Sequence, residues 1–322
     1  MTKTKLYIYP HAKPHEHDTN SAGMSDHLQN TVPLSEKGIR EHCIVTSPDA
    51  ADYFYMGQFA QDTGEILKIG PDSFKHFKGN ENRHILDIDG EGGFEASNRP
   101  RIPDWLRESI ITANGTLKKD QDIENLFTRP TFSHLLIDIV NNKNETFQFP
   151  EEKSFGFRGM VNCTTRALML YTLHNMPDVK KELKINTHWQ GLSDIGSNTQ
   201  KEFVEHMLRN SLSLCPRGSG IDSVRFLESC YFNRVPIVIS DHDYFLFGED
   251  LHDTSFCYRI FKGDMKPSDL HEQLTQIYNT PIEELKRRAK SAKIYFDQVV
   301  RRYFEDPTLY FLNWIETKNE RK

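Results

Sequence analysis

The side chains best suited to chemistry lie in one stretch, residues 211–240, which reads SLSLCPRGSGIDSVRFLESCYFNRVPIVIS. Arg217 stands beside Gly218 and Gly220 in a short loop, and glycine lets a backbone approach a ligand closely. An arginine together with free N–H groups at the start of a helix suits a diphosphate. Glu228, farther along, can accept hydrogen bonds from ribose hydroxyls. The stretch therefore predicts a nucleotide-phosphate site.

The elements around this loop follow a strand–loop–helix–strand pattern. Residues 211–215 are short and alternating, residues 235–239 are β-branched, and apolar residues recur between them at helical spacing. In a parallel sheet this pattern places the loop at the carboxyl edge, where ligands of open α/β folds bind. The loop matches neither the P-loop nor the GxGxxG pattern, and glycine-bearing turns are also common in α/β proteins without a ligand. A phosphate site and a plain turn both remain open on spacing alone.

Composition bounds the class of protein. The chain has 322 residues, 37% hydrophobic and 27% charged, which is typical of a soluble globular protein with two domains. A net charge of −6 argues against a nucleic-acid partner. The 5 cysteines form no CxxC pair, and no apolar stretch is long enough for a signal peptide or a membrane span. We therefore expect a cytoplasmic protein with reduced thiols and no integral membrane segment.

The chain divides into two α/β halves at a polar, proline-containing segment, residues 141–152. The first half has strand candidates at residues 5–9, 84–87 and 132–140, while residues 95–130 are predicted to be rich in loops. The second half repeats the strand and helix alternation, and one long last helix is predicted to begin at Pro281. Two doubly wound domains with a cleft between them fit this pattern.

The stretch at 211–240 resembles the signature of the exostosin-like glycosyltransferases, glycosyltransferase family 47. That pattern joins Pro-Arg-Gly, Gly-x-x-Ser-x-Arg, a helical glutamate and Pro-Val followed by an acidic residue. The chain matches it at Pro216, Arg217, Gly218, Gly220, Ser223, Arg225, Glu228, Pro236, Val238 and Asp241. Weaker matches follow in the expected order at residues 49–56, 155–166, 202–210 and 286–304, so that the resemblance covers about residues 1–310.

The resemblance implies the GT-B architecture, an α/β fold with two Rossmann-like domains facing across a cleft. Residues 1–148 would form the acceptor domain, residues 149–300 the nucleotide-sugar domain, and residues 301–322 a helix end packing back toward the N-terminal domain. It also implies inversion at the anomeric carbon, a UDP-sugar donor, a glycan or oligosaccharide acceptor and no required cofactor or metal. Animal and plant members are usually membrane-anchored in the secretory pathway. No anchor is visible here, so we expect an enzyme of a microbial or virus-infected cell.

The resemblance assigns roles to residues of the second half. Arg217 with Gly218, Gly220 and Ser223 would hold the diphosphate, and Glu228 the ribose. Arg158, Arg166 and Arg225 would add positive charge, although each could equally be a structural or surface arginine. Asp241 would lie near the nucleotide or cap a turn.

The catalytic base is expected in the first half, because an inverting transfer needs a carboxylate or imidazole to deprotonate the acceptor. Asp87 and Asp89 are the first candidates for the base, because they end a predicted strand. Glu91, His11 and His15 are alternatives. Two competing hypotheses stay open. The Asp87–Asp89 triplet could bind a divalent metal in a GT-A glycosyltransferase, or the chain could be a non-catalytic glycan-binding relative.

Overall fold

The computed structural model describes residues 3–12, 33–60, 69–89, 103–114, 125–130, 133, 135–136, 145–186, 198–218, 220, 222–244 and 246–321. The chain forms two compact units. The N-terminal unit comprises Met1–Pro130 with Arg302–Lys322, and the C-terminal unit comprises Thr131–Arg301. The division after Pro130 precedes the predicted boundary at residue 148.

The described helices are α1 (Glu36–His42), α2 (Thr164–His174), α3 (Asn198–Arg209), α4 (Arg225–Tyr231), α5 (Pro267–Asn279), α6 (Ile282–Tyr295), α7 (Arg301–Glu305) and α8 (Pro307–Glu320). A π-helical turn, Phe296–Val300, joins α6 to α7. None of the helices among these residues is both long and apolar enough to span a bilayer. The sequence predicted one last helix from Pro281, and α8 is an additional one. Its start is set by Asp306, whose Oδ1 accepts from Leu309 N at 3.0 Å, and by Pro307 in the first helical position.

Six strands form the sheet of the N-terminal unit: β1 (Thr4–Ile8), β2 (Cys43–Val45), β3 (Tyr53–Ala60), β4 (His84–Asp89), β5 (Ile110–Asn114) and β6 (Leu126–Arg129). All five pairings are parallel, and the order is β2-β1-β3-β4-β5-β6. Leu6, Ile85 and Ile111 on three of these strands are fully buried. Strands β5 and β6 lie within residues 95–130, which the sequence predicted to be rich in loops without indicating these strands. Thr112 and Asn114 in β5, and Thr128 and Arg129 in β6, interrupt the apolar pattern of these short strands.

Five strands form the sheet of the C-terminal unit: β7 (Phe155–Gly159), β8 (Lys181–Ile185), β9 (Leu212–Pro216), β10 (Val235–Ser240) and β11 (Tyr258–Phe261). The order β11-β10-β9-β7-β8 is again wholly parallel. Every residue of β9 and β10 is buried, as expected of central strands in a parallel sheet. The predicted α/β class with Rossmann-like parallel sheets is confirmed. The predicted strand at 132–140 is not seen where that segment is described, because Leu135 and Leu136 are helical.

Both sheets share one strand order. In each, the first strand of the unit is flanked by the second on one side and by the third on the other, and the later strands follow outward from the third. This is the 2-1-3-4-5 order of doubly wound folds, and the order reverses beside the first strand. The reversal lies between β1 and β3 in one sheet and between β7 and β9 in the other.

Arg234 is a buried arginine just before β10, and its side chain bonds only to backbone carbonyl groups. It is 1% exposed. Its Nε donates to Met207 O at 3.0 Å, its Nη2 to Leu208 O at 2.8 Å, and its Nη1 to Gln148 O at 2.9 Å. Burial lowers its pKa to about 10. The side chain thus satisfies carbonyls at the end of α3 and ties that helix to the segment that leads into β7.

Helices α1 and α8 of the N-terminal unit meet at a glycine. A Cβ added to Gly38 would lie 1.8 Å from Thr308 Oγ1 and 2.6 Å from Thr308 Cβ. Nearby, His42 Nε2 lies 2.7 Å from Asp306 Oδ2. Since Thr308 is short and itself buried, it has no room to yield.

Gly38→Ala should therefore destabilise the protein by about 1–3 kcal/mol through overpacking, a larger effect than alanine's helix-propensity gain of up to ~1 kcal/mol. Urea denaturation measures the free energy of unfolding. Gly70→Ala is the matched control, because a Cβ there meets nothing within 4 Å. Equal stability of the two variants would contradict the contact.

His84 is the centre of an aromatic cluster in the N-terminal unit and is fully buried. Its ring stacks on Phe54 at 4.7 Å, with an interplanar angle of 8°. Its Nδ1 lies 2.7 Å from Asn80 O, and its Nε2 lies 2.9 Å from the hydroxyl of Tyr9. A neutral ring that donates to the carbonyl and accepts from the tyrosine satisfies both contacts. Burial lowers the pKa of His84 to about 4 and raises that of Tyr9 to about 12.

These shifts predict acid sensitivity. Because the folded-state pKa of His84 is depressed, the unfolded chain binds a proton that the folded chain does not, so stability is full above pH ~6.5 and falls as the pH drops toward 4. The loss approaches about 3 kcal/mol at the acid end. His84→Gln should flatten this dependence in urea denaturation series from pH 7 to pH 4.5, whereas His271→Gln, at an exposed position of α5, should leave it unchanged. An unchanged slope in His84→Gln would contradict the assignment.

Candidate functional site

The reversal between β7 and β9 marks the expected ligand-binding edge of the C-terminal sheet. In open parallel sheets, ligands bind outside the carboxyl ends of the strands at the point where the order reverses. Strand β7 ends at Gly159 and β9 ends at Pro216. The segments that follow, residues 160–163 and 217–224, therefore form the candidate site. The second of them is the loop to which the sequence pointed.

Arg166, in the first turn of α2, fastens these two segments together. Its Nη1 donates to Met160 O at 2.9 Å, and its Nε donates to Arg217 O at 2.9 Å. The thiol of Cys163 donates to the same Arg217 carbonyl at 3.3 Å. Burial, together with the charges of Arg225 and Arg217, lowers the pKa of Arg166. Arg166 is thus a brace between the loops as well as a source of positive charge.

Gly218 leaves part of this guanidinium uncovered. A Cβ at position 218 would lie 3.1 Å from Arg166 Nη2, so a larger residue would crowd that nitrogen. No residue of the described chain accepts a hydrogen bond from Nη2 in the structure. The loop also closes on itself, since Gly218 N donates to Asp222 O at 3.4 Å. Glycine at 218 therefore gives a ligand access to the Arg166 guanidinium.

Arg217 is paired with Asp241 in a two-pronged ion pair. Its Nη2 donates to Asp241 Oδ2 at 2.7 Å, and its Nε donates to Oδ1. Its Nη1 donates to Gly218 O at 3.2 Å, so three of the five guanidinium N–H groups are engaged. The hydrogen bonds to Asp241 raise the pKa of Arg217. Burial acts to raise the pKa of Asp241, but Arg217 outweighs it and the pKa is lowered. Both groups are charged at neutral pH.

Arg158 and Arg225, predicted to add charge at the donor site, have other partners in the structure. The Arg158 side chain is 4% exposed and its Nη2 donates to Glu202 Oε2 at 2.9 Å. The Arg225 guanidinium lies 5.0 Å from the ring of Phe157 and 5.1 Å from that of Phe203, and its Nη2 donates to Arg158 O. These contacts hold α3 against β7 and engage both arginines within the unit, which argues against their roles as phosphate ligands.

Glu228, predicted to bind the ribose, lies on α4 and is 4% exposed. Its Oε1 accepts a hydrogen bond from Ser133 Oγ at 2.5 Å. Burial raises its pKa, although Arg225 and Ser133 act in the opposite direction. Helix α4 begins at Arg225, later than its apolar spacing predicted, and Ser223 O accepts from Phe226 N at 2.9 Å at its start. Ser223 and Gly220 are half-buried in the loop before it.

Among the candidates for the catalytic base in the first half of the chain, Asp87 is buried and ion-paired. Asp87 is 2% exposed. Its Oδ1 lies 3.2 Å from Arg129 Nη1 and accepts from Thr112 Oγ1 at 2.5 Å. Arg129 also donates to Ile88 O at 2.6 Å. A carboxylate held inside the sheet in this way is inaccessible to an acceptor, which argues against Asp87 as the base.

Of the other candidates for the base, only the side chain of His11 lies among the residues that the structure describes. Asp89 ends β4, but its side chain, like Glu91 and His15, lies outside the described residues. His11 follows β1 at the reversal of the N-terminal sheet and is exposed. Its ring lies 5.2 Å from that of Phe74 and 5.7 Å from that of Tyr9.

The hypothesis of a metal site at Asp87 and Asp89 meets the same obstacle, because the Asp87 carboxylate is committed to Arg129 and Thr112. Over the part of the chain that the structure describes, no group of three or more His, Cys, Asp or Glu side chains is placed to hold a metal. All five cysteines are free thiols.

Sequence reasoning missed three features of the site: the carbonyl of Met160, the thiol of Cys163, and His242, whose Nε2 lies 3.9 Å from Asp241 Oδ1. Each lies in a segment that follows a strand of the C-terminal sheet, so strand ends were the available signal. Cys163 and Arg217 are 54 residues apart in the sequence, and spacing alone does not pair them.

Comparisons with known proteins found structural similarity at low sequence identity. No protein-family model matches the chain, and no curated protein matches it. Among solved structures, MurG of Acinetobacter baumannii is similar at 10% identity and a TM-score of 0.40, over 95% of this chain and 99% of that one. A glycosyltransferase of Rickettsia africae ESF-5 is similar at 10% identity and a TM-score of 0.40, over 99% of each chain.

The GtfA/B complex is similar at 8% identity and a TM-score of 0.38, over 81% of this chain. The chain spans 60% of the length of that GtfA/B chain. At these TM-scores the likenesses carry no argument about function.

The geometry of Asp87 predicts a structural role. Asp87→Asn keeps an oxygen for Thr112 but leaves Arg129 charged and buried, which should cost about 3–5 kcal/mol of stability. Glu36→Gln, which breaks the exposed pair with Arg40 on α1, should cost less than ~0.5 kcal/mol. Urea denaturation measures both variants. A folded, stable Asp87→Asn variant that lacks only activity would instead support Asp87 as the base.

Proposed function

We propose that the chain is a GT-B glycosyltransferase of exostosin-like type, which transfers a sugar from a UDP-sugar to a hydroxyl of a glycan acceptor with inversion. One observation carries the proposal. The loop that resembles the family signature, Arg217 to Ser223, lies at the strand reversal of the C-terminal sheet, and Arg166 braces it against the segment after β7.

The donor diphosphate would bind at this edge. The two remaining N–H groups of Arg217 and the Nη2 of Arg166 are donors suited to phosphate oxygens. Guanidinium groups fixed before the reaction stabilise the charge that develops on the leaving diphosphate. The proposal therefore needs no metal or cofactor for this charge.

The ribose would bind near Glu228. In the structure Ser133 already donates its hydroxyl to the Glu228 carboxylate at 2.5 Å. A ribose hydroxyl would have to reach this carboxylate, which is 4% exposed, and share it with Ser133. The raised pKa of Glu228 reflects its burial, and a second O–H donor would favour its ionised form.

The base in this proposal is His11 rather than Asp87. His11 is exposed and follows the first strand at the reversal of its sheet, whereas the Asp87 carboxylate is buried against Arg129. An imidazole has a pKa near neutrality, which suits a general base. Asp89 remains the second candidate because it ends β4 at the same carboxyl edge.

The two competing functions make different demands on these residues. A metal-dependent GT-A enzyme would need the Asp87 carboxylate for its ion, and that carboxylate is paired with Arg129. A non-catalytic relative would keep the donor loop and bind nucleotide without turnover. Donor hydrolysis in excess chelator separates the three cases: persistence supports the GT-B proposal, loss on chelation supports the metal enzyme, and binding without turnover supports the relative.

Calorimetry with UDP tests the donor site directly. Arg217→Ala removes a charged ligand of the diphosphate and should weaken UDP binding by roughly 10- to 100-fold. Arg287→Ala removes an exposed arginine of α6 that pairs with Glu284, and should leave binding unchanged. His11→Ala should lower turnover and leave UDP affinity intact. Absence of UDP binding by the unaltered protein, or equal affinity in both arginine variants, would exclude the donor site.

A further inference from the structure

We infer that Asp241 is a built-in competitor of the donor diphosphate for Arg217, so that it limits the affinity of the site for nucleoside diphosphates and favours their release. The inference rests on the proposed function, because it concerns the same donor site.

The fold fixes both partners at one edge. Strands β9 and β10 are parallel neighbours in which Pro216 pairs with Ile239, so Arg217 and Asp241 follow the two strands side by side. Arg217 N donates to Ile239 O at 2.9 Å, which anchors the backbone from which the guanidinium extends. The ion pair therefore forms without any rearrangement of the sheet.

Asp241 occupies the edge of Arg217 that a phosphate prefers. Its two oxygens accept from Nε and Nη2, the pair of parallel donors that binds a carboxylate or a phosphate in two-pronged fashion. While Asp241 is bound, that edge is filled and the charge of Arg217 is balanced. A diphosphate must then displace the carboxylate or bind beside it against like-charge repulsion.

The exposure of the pair allows such an exchange. The side chains of Arg217 and Asp241 are 17% and 30% exposed, so water can solvate either charge when they separate. The pair of Arg129 and Asp87 differs, since its side chains are 2% and 3% exposed and separation would leave buried charges. The released Asp241 also keeps a neighbour, because His242 Nε2 lies 3.9 Å from its Oδ1.

The exchange of Asp241 for a diphosphate at Arg217 would affect both donor binding and product release. A diphosphate carries more negative charge than one carboxylate, so it takes Arg217 when donor is abundant. After sugar transfer, Asp241 returns to Arg217 and opposes rebinding of the product. Removal of its charge should therefore tighten nucleoside-diphosphate binding, whereas a carboxylate that only positions Arg217 would weaken it when removed.

Calorimetry with UDP on the full chain, at low and at physiological salt, distinguishes these roles. Asp241→Asn keeps an oxygen for Arg217 but removes the charge, and should tighten UDP binding by about 3- to 10-fold, more at low salt. Asp241→Glu keeps the charge and should bind UDP as the unaltered protein does. Asp269→Asn is the matched control, because it removes one carboxylate from an ion pair with Lys262 outside the loop.

Three outcomes would overturn the inference. Unchanged or weaker UDP binding by Asp241→Asn, with normal binding by the unaltered protein, refutes the competition and leaves the proposed function standing. Equal tightening in Asp269→Asn assigns the effect to overall charge. If neither the unaltered protein nor any Asp241 variant binds UDP, the donor site itself is absent, and the inference is lost with it. Thermal melting of each variant verifies that it is folded.

Discussion

The brace that Arg166 makes between the ends of β7 and β9 is the interaction on which the candidate site depends. Parallel strands deliver their following segments to one edge, but they do not hold those segments in a fixed relation. The rigid guanidinium of Arg166 fixes the two segments relative to each other, because it donates one hydrogen bond to Met160 O and one to Arg217 O. A lysine would make a single-centre contact, and the loops would lose their common anchor. The positions of Arg217 and Gly218 therefore follow from a residue on a different element.

Five arginines of the C-terminal unit are of two kinds, which differ in their hydrogen-bond partners. Arg158, Arg225 and Arg234 donate hydrogen bonds to Glu202 or to backbone carbonyls, and Arg225 also lies over an aromatic ring. These contacts hold helices to the C-terminal sheet. Arg217 and Arg166 keep N–H groups available at the strand reversal. Residue type alone does not separate these kinds, because a motif records an arginine and not the direction of its side chain. Exposure and partner geometry decide which of them can meet a ligand.

The α/β class, the parallel sheets and the loop at 217–223 could be predicted from the sequence. Each follows from the local spacing of apolar residues and glycines. The strands β5 and β6 could not be predicted, because polar residues such as Thr112 and Thr128 interrupt their apolar patterns. Residues 301–322 were predicted to be a helix end, but the start of a separate helix α8 at Asp306 and Pro307 was missed. The pairing of Asp87 with Arg129 and of Arg217 with Asp241 joins residues distant in the sequence. Such pairs follow from strand order, which periodicity does not give. Asp87 shows the consequence: a strand-end acid and an acid in a buried ion pair look alike in a sequence.

The shared strand order of the two sheets explains how similar frameworks can carry different chemistry. In both, the segment after the first strand emerges at the reversal, so its residues decide what each edge offers. After β7 the chain turns into α2, whose Arg166 brings fixed positive charge suited to an anion. After β1 it presents His11, an imidazole near aromatic rings, whose ring nitrogen can accept a proton. A transfer reaction needs one edge that stabilises a leaving anion and one group that takes a proton. In the proposed reaction, Arg166 and Arg217 would stabilise the leaving diphosphate, and His11 would accept the proton.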